Sequence, residues 1–180
     1  MSLKTVVIGT LGLGVLITAV AILLSFTGGP DQTPELIPTI VQLYQHKDNS
    51  VEKAKDITKI DEIVTDMDNT AVTDAWLSML DCLKEQCVPD DYFNFIMIVI
   101  NEKSHDIKYS NLLTNILITQ RYWGSENIVE FSKALTAANA DIDALHNKAI
   151  SNKWDEIVAC NGVCPEKNDL FFGLLHELSL

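Results

Sequence analysis

The chain has 180 residues, 47% apolar and 21% charged, and its 13 Lys and Arg against 25 Asp and Glu leave a formal net charge of −12. That length allows one ordinary domain with an appendage, and a composition this apolar and varied excludes disordered, collagen-like and low-complexity chains. The negative field repels phosphate backbones and anionic lipid heads, so nucleic acid is not an expected partner.

Apolar mass and charge are segregated along the chain. From Thr5 to Thr27 run 23 residues with no charged side chain, and Lys4 carries the single side-chain charge of residues 1–30. A helix of that length reaches about 34 Å, enough to cross a hydrocarbon core of roughly 30 Å, and lipid gives backbone amides no partner except within a helix. Residues 1–27 therefore read as an N-terminal membrane anchor that meets lipid through residues 5–27. A cleaved secretory signal is the competing reading. The one Ala-x-Ala, Ala19-Val20-Ala21, lies inside the run and is followed by Ile22, Leu23 and Leu24, so a cut there would leave an apolar new terminus. Lys4 on one side and Asp31 and Glu35 on the other orient the amino terminus to the cytoplasm and the body to the extracytoplasmic, periplasmic side. Thr10, Gly14 and Thr18 recur every four residues, a small-residue face on which another helix can approach closely; the same residues also suit a plain anchor.

Gly28-Gly29-Pro30-Asp31-Gln32-Thr33-Pro34 breaks the pattern with turn formers, so residues 28–34 read as a linker and 35–180 as an acidic, all-helical domain. All 25 acids and 12 of the 13 bases follow the apolar run, a formal net of −13. A helix opens near Thr33-Pro34 or Pro38 and runs through Tyr44 with Ile37, Ile40, Val41 and Tyr44 on one side. Lys47 to Lys55 reads as a polar stretch, followed by a short stripe of Ile57, Ile60, Ile63 and Val64. Asn69 or Thr70 caps a helix through Leu83 on which Val72, Trp76, Met79, Leu80 and Leu83 repeat at three and four. Pro89 with Asp90 and Asp91 marks another start, and Tyr92 to Ile100 is apolar almost all round, which predicts a central helix. Further helices are expected over Asp106 to Tyr122, from Ser125 toward Ile150, from Ser151 through Val158, and from Pro165-Glu166 to the end. The class is all-α, about seven helices in a compact bundle behind one transmembrane helix, with no repeat signature of a solenoid.

Few residues point to chemistry. Cys82 and Cys87 are separated by four residues and Cys160 and Cys164 by three, spacings that allow two local disulfides, buried thiols or a four-thiolate metal site. Five residues along a helix turn a side chain by about 140°, so Cys82 and Cys87 meet only if the helix unwinds near Gln86, before Pro89. Disulfides are the expected outcome for all four. Asp66, Asp68, Asn69 and Asp74 look like a calcium loop, but Ala71 stands where that loop needs Gly and Leu77 where it needs Glu. Asp143 and His146, with Asp141, form a solvated helix face rather than half of a metal site. His46, His105 and His176 belong to no sequence motif. No catalytic residue, metal site or cofactor is assigned, since no nucleophile elbow, phosphate loop, dinucleotide fingerprint or His-Glu-x-x-His occurs. Tyr109, Tyr122, Trp123 and Trp154, near helix ends, are the candidate anchors for a partner. The expectation is a single-pass membrane-anchored interaction or assembly protein, an accessory subunit beside other membrane or envelope proteins. A tethered metal-binding or enzymatic domain and a secreted helical factor are the alternatives.

Overall fold

A computed structural model describes residues 33–105, 107–160 and 164–179, and among them the chain is helical with no strand. Eight helices follow in order: α1 (Thr33–Gln45), α2 (Ser50–Asp66), α3 (Thr70–Glu85), α4 (Pro89–Lys103), α5 (Ser110–Tyr122), α6 (Ile128–Leu145), α7 (Lys148–Ala159) and α8 (Lys167–Leu178). None of these helices is long and apolar enough to cross a membrane. The apolar run 5–27, with its Thr10, Gly14 and Thr18 face, lies outside the described residues.

Asparagine opens half of the helices. Asn49, Asn69, Asn127 and Asn147 precede α2, α3, α6 and α7, and each side-chain oxygen accepts a backbone N–H from the first turn. Such a cap satisfies a donor that the helix itself leaves free and is worth about 1 kcal/mol. It explains the first departure from the sequence reading. Lys47 to Lys55 is not a polar connector: after the turn at His46 to Asp48, Asn49 starts α2 at Ser50, and the Glu52–Lys55 ion pair lies on its exposed side at 2.8 Å.

Two other boundaries move for backbone reasons. α5 begins at Ser110 rather than Asp106, because Tyr109 sits in the left-handed region at φ 66° and cannot continue a right-handed helix. The break expected between Ile150 and Ser151 falls earlier, between Leu145 and Lys148. His146 takes φ 49°, its N–H bonding the Asp143 carbonyl, and Asn147 then caps α7 through the N–H groups of Ala149 and Ile150. Gly124, at φ 76°, makes the preceding reversal, where a side chain would be strained.

α4 carries the centre of the core, burying Tyr92, Phe93, Phe95, Ile96, Val99 and Ile100. It packs against α1, α3 and α5; α1 in turn touches α2 and α8, and α8 touches α5 and α7. α6 lies along α5, and its buried Ala134 and Ala138 let the two backbones come close. Phe171 and Phe172 of α8 join these layers. Phe172 stacks on Tyr44 at 3.7 Å and on Phe93 at 4.2 Å between ring centres, while Phe171 meets Phe93, Trp123 and Trp154 edge-on at 6.0–6.5 Å. Edge-on and offset aromatic pairs of this kind add about 0.5–1.5 kcal/mol each beyond area burial. Several polar groups inside are paired: Thr39 donates to the Glu35 carbonyl at 2.6 Å, Tyr44 Oη to Asp169 at 2.7 Å, and Gln120 to Asp90 and Asn168.

Candidate functional site

A cleft of about 370 Å³ opens where α1, the turn before α5, α7 and the last turns of α8 meet. Its floor is aliphatic, from Ile37, Leu113, Ile150, Leu175 and Leu178, and Tyr109 stands in its wall. Each floor residue is placed by a helix whose other positions are anchored elsewhere in the core. Asn147, at the rim, is fixed by accepting the first N–H groups of α7. Lys108 lies over the Tyr109 ring, its ammonium 4.4 Å from the ring centre, and Glu177 adds an opposite charge to the lining.

Tyr109 is the least ordinary residue of this wall. A non-glycine residue at φ 66° carries on the order of 1–3 kcal/mol of backbone strain, which the surrounding packing sustains. An aliphatic floor, one aromatic wall and a rim of Lys108, Asn147 and Glu177 suit one or two apolar side chains of a peptide or helix with polar flanks. The lining holds no nucleophile paired with a base.

The other sequence candidates fall in different places. Tyr109 lines the cleft; Tyr122 is half-buried at the end of α5; Trp123 is half-buried and packs edge-on against Phe131 and Phe171. Trp154 is a core residue, 3% exposed, with its indole N–H donated to Asn139. That burial removes it from any partner surface, and its apolar spacing on α7 with Ile150 and Ile157 carried the signal.

All four cysteines are bridged, Cys82 to Cys87 and Cys160 to Cys164, with Cα–Cα distances of 5.1 and 5.6 Å. As the spacing required, the chain leaves the helix at Gln86, whose extended backbone swings Cys87 back toward Cys82. Asp91 closes the same turn: its carboxylate accepts the Val88 N–H at 2.8 Å and lies 3.2 Å from the Cys82 sulfur. Sequence reasoning treated Asp91 only as a helix-start acid and missed this approach.

Asp143 and His146 are exposed at the end of α6, where the His146 N–H bonds the Asp143 carbonyl, while Asp141 accepts from Asn115 of α5 at 3.0 Å. In the acidic turn before α3, Asp68 adopts φ 46° and Asn69 serves as the cap. His46 is bound to Asp56 at 2.7 Å, which ties the end of α1 to α2. His176 keeps a buried Nδ1 without a hydrogen-bond partner. Set against protein families, curated proteins and solved structures, the chain matches none.

Proposed function

We propose that the protein is a single-pass membrane-anchored assembly subunit whose acidic helical body holds a partner protein through the Tyr109 cleft. The observation that carries the reading is the uncharged run of 23 residues, Thr5 to Thr27, placed directly before a body with its own buried core and a formal net charge of −13. The run has the length and apolarity of a span, and the body's charge keeps it off anionic lipid heads. Tethering then does the work of affinity, because a partner in the same membrane meets the cleft at high effective concentration. Two bridged cysteine pairs fit a body on the extracytoplasmic side, where disulfides persist. The Thr10, Gly14 and Thr18 face offers a contact for a neighbouring span.

Fractionation of cells making the full chain tests this. The expected result is full-length protein in the membrane pellet, resistant to alkaline carbonate and released by detergent, with the body digested by protease added outside. A full-length chain in the soluble fraction overturns the anchor. A mature chain that begins after the apolar run replaces it with the secreted factor.

A further inference from the structure

The turn between α3 and α4 brings three metal-ligating groups together. Ligand atoms of Cys82, Cys87 and Asp91 all lie within 4.8 Å of one another, and each residue is half-buried rather than fully exposed. The carboxylate does not wander, because the Val88 N–H holds it at 2.8 Å with its oxygen 3.2 Å from the Cys82 sulfur. A hydrogen bond of that kind is what orients a metal-binding carboxylate and fixes its geometry before the ion arrives. The cluster also opens outward: a cleft of about 250 Å³ bounded by Ala75, Met79, Asn94 and Phe95 has Cys82 and Asp91 in its lining.

We infer that the Cys82–Cys87 bridge is a redox gate over a zinc site. With the bridge closed, the sulfurs bond each other and bind no ion. A dithiol reductant opens it: two electrons and two protons pass to Cys82 and Cys87, and the reductant's own sulfurs join as a disulfide. Zn²⁺ then displaces the two thiol protons into solvent and is held by two thiolates and the Asp91 carboxylate, with the cleft supplying water as the fourth ligand. Four residues between the cysteines lie within the spacing that zinc sites use, and a carboxylate among the donors favours Zn²⁺ over a soft monovalent cation. The donor set is independent of the membrane anchor, while opening the bridge needs the dithiol reductant in the compartment where the body lies.

The test uses the full chain, reduced and then freed of reductant without air, titrated with Zn²⁺ and with Co²⁺ as a coloured stand-in. One ion per chain is expected, with a thiolate-to-cobalt charge-transfer band. Cys82→Ser should abolish it, and Asp91→Asn, which can still accept the Val88 N–H, should weaken binding by about tenfold or more. A Cys160→Ala, Cys164→Ala double variant should bind as before, and circular dichroism should report the same helix content in every variant. Absence of stoichiometric binding by the reduced chain overturns the site. So does binding that follows Cys160 and Cys164 instead, or that is indifferent to Asp91→Asn. The oxidised chain should bind nothing, and stoichiometric zinc on it would equally defeat the gate.

Discussion

Tyr44 shows how one side chain ties three helices. Its ring is stacked on Phe172 and set edge-on to Tyr92 at 5.3 Å, while its hydroxyl donates to Asp169 of α8. Burial first, then the Asp169 hydrogen bond and charge, push its ionisation far above the ordinary tyrosine value, and burial followed by the Asp91 charge raises Tyr92. In the unfolded chain both phenols ionise near pH 10, whereas the folded chain holds them neutral. Their contribution is therefore complete below about pH 10 and lost as the pH rises beyond it. Thermal melts from pH 8 upward should show the midpoint falling past about pH 10, more gently in Tyr44→Phe, where Tyr92 alone supplies the slope. At neutral pH that variant should lose about 1 kcal/mol with its hydrogen bond. Tyr109 is a different case, a half-buried residue that packs against the core and lines the cleft. Asn tolerates φ 66°, so Tyr109→Asn relieves strain while removing the ring, and its stability should stay within about 1 kcal/mol of the parent. Capture of the cleft's partner from detergent extracts should fall sharply with the same change.

Among the helices, what could be read from the sequence was whatever depends on near neighbours. α3 and α4 start where Asn69 and Pro89 announce them, and the apolar run of α4 is central because most of its circumference is apolar, with Asn94 left exposed. α2 was obscured because Glu52, Lys53 and Lys55 dilute its first turns, and only the Asn49 cap reveals that they are helical. The start of α5 and the end of α6 rest on positive φ angles at Tyr109 and His146, the first against the preference of Tyr and the second signalled only by the modest enrichment of His in that region. The cleft was less legible still: Tyr109 stood out as an aromatic near a helix end, but Ile37, Ile150 and Leu178 come from helices far apart in the chain. The cysteine spacings foretold local bridges, yet Asp91 could join Cys82 only once the turn at Gln86 was formed. Closing so short a loop as Cys160 to Cys164 is worth about 2 kcal/mol through the unfolded chain. The Cys160→Ala, Cys164→Ala double variant should unfold in urea with a stability lower by that amount and an unchanged slope.

At the scale of the molecule, all eight helices feed one buried region, and Gln32–Leu180 is a single compact unit. A chain of residues 32–180 should therefore unfold in one cooperative transition, with coincident loss of helix signal and tryptophan fluorescence. Two separated transitions would show that α6 and α7 form a subdomain of their own. The two bridges have a mechanical corollary. Each clips a turn of only five or four residues, so no covalent link joins the front of the body to its back. Tension arriving along residues 28–32 loads α1 first, and peeling it strips Leu36, Ile40 and Leu43 from α4 and α8. The remainder then has water against its middle and yields as a whole. Fully drawn out, the body would reach roughly 500 Å at the span of an extended chain, so a pull on its amino end would meet a single cooperative yield before a long compliant stretch.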